Sequence, residues 1–137
     1  MKKIIFTFFF LLLANLSLAA MTGDSSGKDS GSNQGNLYKV AKQLIIKAKK
    51  LEKKDKLEKA LKLYSKAHDK LKKAYNKDKK NPDILNYLGF TLRKAGNFDE
   101  AEKFYLKGLS LDPNHNGINE YLGELYVQTN RIEKAKE

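Results

Sequence analysis

Residues 82–115 read PDILNYLGFTLRKAGNFDEAEKFYLKGLSLDPNH, and their pattern returns in the residues that follow. Ile84, Tyr87, Leu88 and Gly89 recur 34 positions later as Ile118, Tyr121, Leu122 and Gly123, and Ala101 recurs as Ala135. A fixed period of this size marks a helical repeat array, because one helix pair cannot bury its own apolar face and must stack on a neighbour. Leu85, Leu88, Gly89 and Leu92 fall on one face of a first helix. After Gly96-Asn97, residues Ala101, Phe104, Tyr105 and Gly108 fall on one face of a second, and Asp112-Pro113 closes the unit. The pattern predicts an all-α fold, a short α-solenoid of antiparallel helix pairs, with no strand in residues 37–137.

Upstream the same pattern is looser. Leu37, Val40, Ala41, Leu44, Ile45, Ala48 and Leu51 follow helical spacing, as do Leu57, Ala60, Leu61, Tyr64, Ala67, Leu71, Ala74 and Tyr75. Asp55 is the expected cap of the second of these helices. This first repeat, 41–81, is longer than the one at 82–115 by seven residues. Seven residues are about two helical turns and lengthen a helix without rotating its apolar face. Asn81-Pro82 starts the next helix and Gly96 ends it. Asn97-x-x-Glu100 and Asn130-x-x-Glu133 have capping-box spacing. A partial third repeat covers 116–137, and its apolar face under Leu122, Leu125 and Tyr126 is expected to lie open. That predicts a fragment of a longer chain, a covering partner, or self-association through the uncapped C-terminal repeat. Gly89 and Gly123 stand far from any turn, so both are expected where two helix backbones approach closely.

The N-terminal third has another character. Lys2 and Lys3 precede an uncharged run from Ile4 to Gly23, and Ser17-Leu18-Ala19 supplies small residues for cleavage. Residues 1–20 are therefore expected to form a signal peptide, or less simply an uncleaved inner-membrane signal anchor. The mature protein would then be exported to the periplasm. Residues 21–36, with Gly23, Gly27, Gly31 and Gly35 among Ser and Asn, read as a flexible Gly/Ser linker. The folded domain is expected at 37–137.

The helical unit resembles the tetratricopeptide repeat (TPR), on Leu88 and Gly89 in helix A, Ala101 and aromatics in helix B, and Pro113. Leu85 stands where the family has Trp, Leu92 where it has Tyr, and Gly108 where it has a second Ala. The resemblance implies a concave groove lined by helix A that binds a peptide or partner helix, with Lys42, Ile45, Lys49, Asn86, Phe90, Arg93, Glu120 and Glu124 facing it. Some members grip a C-terminal carboxylate with Lys and Asn at set positions. Here those positions read Ile45, Lys49, Tyr87, Gly117 and Tyr121, so that clamp is mostly missing.

Charge adds a second feature. The chain carries a formal +11, and residues 39–80 hold 17 Lys against 5 acids, a net of +12. Lys59, Lys62, Lys66, Lys70, Lys73, Lys77 and Lys80 form one stripe opposite the apolar face. It suits a solvated helix face or an anionic membrane surface; nucleic acid is not expected, since no aromatics interleave with these Lys. There is no Cys, so thiol chemistry and disulfides are excluded. His68 and His115 lack an obvious catalytic partner. The loop from Asp112 has Gly123 where a calcium loop needs its bidentate acid. No catalytic residue, metal ligand or cofactor is assigned. The expected function is a non-enzymatic protein–protein interaction scaffold of the bacterial cell envelope.

Overall fold

In the computed structural model the described residues are 30–136. The expectations for residues 1–20 and for 21–29 lie outside them. Five helices follow in order: α1 (Ser30–Glu52), α2 (Leu57–Lys77), α3 (Pro82–Lys94), α4 (Phe98–Leu111) and α5 (Asn116–Gln128), then a 3-10 turn (Lys134–Lys136). Among the described residues there is no strand. No helix among them is long and apolar enough to cross a membrane. The helices pair as α1–α2 and α3–α4, and α5 stacks on α4, giving the antiparallel array that the periodicity demands.

The first pair is held along a seam of small residues. Ala41 and Ala48 on α1 and Ala60, Ala67 and Ala74 on α2 are all fully buried. Side chains this short let the two helix axes approach, and Tyr64 and Leu71 fill the space beside them. At 21 residues α2 exceeds α4, at 14, by the seven residues read from the repeat spacing. The added length is covered on both sides. Tyr75 meets Phe104 of α4 edge-on at 5.8 Å. On the other side α1 runs back beyond Leu37, and Gln34 Nε2 donates to Asp78 Oδ2 at 3.3 Å. The linker expectation is therefore corrected at its C-terminal end: residues 30–36 are helical. The lengthened α2 offers them a surface, and this outweighs the poor helix propensity of Gly31 and Gly35.

Three helix ends share one device. Asp55, Gly96 and Asn130 have positive φ (55°, 81° and 58°). Each is followed by a residue whose N–H reaches five residues back: Lys56 to Leu51 O, Asn97 to Leu92 O, Arg131 to Tyr126 O. This is the left-handed C-terminal stop, which Gly, Asn and Asp adopt most readily. Two expectations change accordingly. Asp55 ends α1 rather than capping α2, and Asn130 ends α5 rather than opening a capping box. Asn97 makes no side-chain capping bond either, and Glu100 pairs with Lys103 at 2.6 Å instead. The starts of α3 and α5 are capped, by Asn81 Oδ1 and His115 Nδ1, each accepting from the N–H three residues on.

Gly89 lies against helix B, but what it meets is a ring and not the expected backbone: a Cβ there would sit 2.5 Å from Tyr105 Cε1. Gly123 does not, since a Cβ there would have nothing within 4 Å. The expectation of a second close contact is corrected. So is that of an open face under Leu122, Leu125 and Tyr126, which are 7%, 0% and 8% exposed. The chain returns over them after α5: Arg131 bonds Glu102 at 2.6 Å, Tyr126 donates to the same carboxylate at 3.1 Å, and Ala135 packs on the cluster.

The two glycines make a paired prediction. Gly89→Ala forces the Tyr105 ring to move and should destabilise the fold, although Ala favours a helix by about 1 kcal/mol over Gly. Gly123→Ala meets no atom and should stabilise by up to about 1 kcal/mol. Urea unfolding of both variants checks the opposite signs; shifts of the same sign would contradict the packing.

Candidate functional site

Helices α1, α3 and α5 present their free faces side by side, and one aromatic joins them. Phe90 of α3 is 1% exposed. Tyr64 of α2 meets it edge-on at 5.5 Å, and Tyr121 of α5 lies tilted at 4.9 Å. Lys49 of α1 places its Nζ 4.8 Å from the Phe90 ring centre and donates to the Tyr121 hydroxyl at 2.9 Å. Lys94 and Arg93 each stand 5.7 Å from the same ring. A cation over an aromatic face is attracted by the ring quadrupole, most strongly where water is excluded.

Carboxylates hold two of these cations. Lys94 pairs with Glu52 at 2.8 Å, and Glu52 also accepts from the Tyr64 hydroxyl at 2.8 Å. Arg93 pairs with Glu124 and donates to Gln128 Oε1 at 3.2 Å. The result is a hollow of about 320 Å³ lined by Lys49, Glu52, Phe90, Arg93, Tyr121 and Glu120, with Lys53, Lys94 and Glu124 at its rim. A second step lies further along α1. Tyr38 and Tyr87 are 5.9 Å apart, and Lys42 Nζ stands 5.4 Å and 5.9 Å from their rings. Among the described residues, Lys42 and Lys49 make no direct ion pair, although Lys49 lies near enough to Glu52 for its charge to act there.

Protonation follows from these surroundings. Burial, then the Glu52 hydrogen bond, pushes the Tyr64 hydroxyl above its ordinary range, and burial does the same to Tyr38 and Tyr87. These hydroxyls stay protonated at neutral pH, which suits hydrogen bonding and not base chemistry. Burial opposes ionisation of Glu52, but the hydrogen bonds from Lys94 and Tyr64 and the charges of Lys94 and Lys49 outweigh it. Its pKa is lowered.

The eight residues expected in the groove separate by depth. Lys42 and Lys49 are half-buried on one wall and Glu120 and Glu124 exposed on the other. Ile45, Asn86, Phe90 and Arg93 are buried at 2%, 4%, 1% and 7% exposure. They build the floor and offer a partner little surface; Phe90 is corrected from groove anchor to core. Tyr121 and Tyr38, Lys53 and the Glu52–Lys94 pair complete the face. Glu52 sits three residues beyond Lys49 on α1, the spacing that shares a helix flank, and that signal was readable in the sequence.

The basic stripe runs along α2 from Lys59 through Lys62, Lys66, Lys70 and Lys73 to Lys77, mostly exposed, while Lys80 lies beyond the helix end. Of the two histidines, unassigned from sequence, His68 reaches the next repeat, and His115 reaches back to the first turn of α3. His68 Nδ1 lies 2.9 Å from Thr91 Oγ1. His115 Nε2 lies 3.2 Å from Asp83 Oδ1.

The family model of the tetratricopeptide repeat matches residues 82–115. The chain carries a tetratricopeptide repeat. Similar solved structures include the first TPR of Spaghetti (RPAP3) bound to HSP90 peptide SRMEEVD. It is 20% identical, the match covers 72% of this chain and 75% of that one, and the TM-score is 0.45. The second TPR of the same protein with the same peptide is 19% identical over 77% and 90%, at a TM-score of 0.44. A MamA mutant is 23% identical over 77% and 74%, also at 0.44. No curated protein matches. The TPR is a protein-interaction fold, generally non-enzymatic. The carboxylate clamp that some TPR proteins carry is not built here. Ile45 is buried, Lys49 is bonded to Tyr121, and a side chain at Gly117 would meet Asn86 Nδ2 at 2.7 Å.

Two outcomes test this description. Phe90→Ala empties a space enclosed by α1, α2 and α5 and should cost about 3–5 kcal/mol in urea unfolding. Glu52 binds fewer protons folded than unfolded, so its contribution is present above its ordinary pKa of 4.5 and lost as pH falls below it. Glu52→Gln should therefore lower the melting temperature at neutral pH and make its fall below pH 4.5 shallower; an unaltered acid limb would contradict the pairing.

Proposed function

We propose that this protein is a non-enzymatic interaction module that holds an extended peptide or the edge of a partner helix across the concave face, between α1 and α5. The observation that carries the reading is the pair Lys42 and Lys49. Both cations are held over aromatic rings, and among the described residues neither makes a direct ion pair, Lys49 lying near Glu52 without bonding it. Seven residues of α-helix set them roughly 10 Å apart. A segment in the polyproline II form rises about 3.1 Å per residue with three residues per turn, so acidic side chains three positions apart lie on one side and reach both. Glu120 on the far wall favours a basic residue on the partner's other side. This charge order also fixes the direction in which a partner lies.

Export to the periplasm, with residues 1–20 as signal peptide or signal anchor, belongs to the same proposal and is supported by the sequence run Ile4–Ala14 behind Lys2 and Lys3. Cell fractionation with mass measurement of the mature N-terminus tests it; an intact, cytosolic chain refutes it.

The groove reading is tested by titrating the protein with labelled peptides that carry Glu at three-residue spacing, against the same peptides with Lys. Reversing Lys42 and Lys49 to Glu should weaken acidic-peptide binding by roughly tenfold or more and improve binding of the Lys series. Replacing Lys66, Lys70, Lys73 and Lys77 by Gln should leave both series unchanged. Equal binding by the reversed protein would overturn the concave face as the site.

A further inference from the structure

The concave face uses one flank of α1. The opposite flank meets α2 on the edge of the array that no other described helix covers. There a shallow crevice of about 330 Å³ opens over Leu51 and Leu63, and its rim is Lys47, Lys50 and Lys54. Helical spacing sets Lys59, Lys66 and Lys70 of α2 around Leu63 at four residues before it and three and seven after it. None of these six makes an ion pair among the described residues; in the same hairpin Lys62 and Glu58 pair at 2.7 Å. Two helices thus bring Lys rows together on one edge, away from the side on which His68 reaches Thr91 and Tyr75 reaches Phe104.

The kind of cation used bears on the kind of anion. Both arginines of the chain are spent on geometry: Arg93 is fixed between Glu124 and Gln128, and Arg131 on Glu102. The free edge has Lys alone. An ammonium on a flexible stem is a point charge without a planar fork, suited to many mobile anions and poorly suited to reading one rigid ligand. Lys59 to Lys70 spans roughly 16 Å along α2, a spread that meets several anions at once. Nucleic acid is disfavoured, since no aromatic lies on this edge to stack on a base. A docked acidic helix is disfavoured too, since it needs an apolar stripe on its receptor, and here two leucines make the whole floor.

We propose that the free edge of the α1–α2 hairpin docks on the surface of a bilayer rich in anionic phospholipid. Its Lys lie in the headgroup layer, and Leu51 and Leu63 face the interfacial zone. Because the docking edge and the concave face lie on opposite flanks of α1, a docked array keeps its groove open to a partner.

The test is flotation of the full-length protein with vesicles of phosphatidylcholine alone and with about 30% phosphatidylglycerol, at low and high salt. The readout is the ratio between the two vesicle types, and residues 1–29 are the same in the unaltered protein and in every variant. A ratio of roughly ten or more, falling toward one at high salt, is expected. Changing Lys47, Lys50, Lys59 and Lys66 to Gln should remove that preference with the circular dichroism spectrum unchanged. Changing Lys72, Lys103, Lys134 and Lys136 removes the same charge elsewhere and should leave the preference in place. A ratio near one in the unaltered protein overturns the proposal. So does equal loss in the two variants, or stronger binding to a short DNA duplex or polyglutamate than to the anionic vesicle. If the first variant is unfolded, Lys47→Glu with Lys66→Glu alone must lower the ratio, or the proposal fails.

Discussion

Phe90 is the point at which the array is joined, and its burial constrains what surrounds it. The ring touches Tyr64 of the first repeat and Tyr121 of the third, so a single side chain couples nearest neighbours that would otherwise meet only through helix flanks. A buried aromatic at the middle of a concave surface leaves a negative ring face toward solvent. Lys49, Arg93 and Lys94 occupy it: the two lysines stay partly exposed, while Arg93 is buried in the floor. Their placement then dictates where carboxylates are needed, and Glu52 and Glu124 supply them for two of the three. The floor is consequently polar at its rim and apolar beneath. Binding on such a face depends on the walls, Lys42 and Lys49 against Glu120.

The two halves of the molecule solve burial differently. In the second repeat large side chains fill the space: Tyr105 lies on Gly89, and Ile118 reaches in against Gly108, where a Cβ would stand 2.3 Å from its Cδ1. In the first, Ala packs on Ala, and the helices are longer instead. A longer hairpin presents more helix surface to water. That surface has to be kept soluble, and Lys does so. The concentration of charge in residues 39–80 is thus partly a consequence of the lengthened hairpin.

What was legible in the sequence is what repeats locally. The 34-residue recurrence gave α3, α4 and the start of α5, and Pro82 after Asn81 marked a helix start that the structure retains. The Gly89 contact followed from a glycine with no turn to explain it. The failures share a different cause. Asn and Asp serve both as N-caps and as left-handed C-terminal stops, so Asp55 and Asn130 were ambiguous until the carbonyls of Leu51 and Tyr126 were seen to be their neighbours' acceptors. Gly123 shares its register with Gly89, but a close contact needs a neighbouring side chain such as Tyr105, and register alone does not supply one. Phe90 lies on the solvent side of a single-helix projection. It is buried only because Tyr64 and Tyr121 come from elements 26 and 31 residues away, which no local window contains.

The first repeat differs from the second by seven residues, and that number has a structural reason. Within the α1–α2 hairpin most roles recur at sevens. Ala41 and Ala48 line the seam on α1, and Ala60, Ala67 and Ala74 line it on α2. Leu61, His68 and Tyr75 form the lane toward the next repeat. Lys59, Lys66 and Lys73 form the solvent lane, while Lys42 with Lys49 and Lys47 with Lys54 take the two flanks of α1. A heptad falls about 20° short of two full turns, so over three heptads each lane stays on its own side of the helix. Adding one heptad to a repeat therefore preserves every lane, and Tyr75 falls on the same side as His68. Adding three or four residues would have turned the later lanes by about 60° one way or about 40° the other. The seven-residue increment turns them least of the three, so the seam, the contact with the next repeat and both charged flanks stay closest to their places.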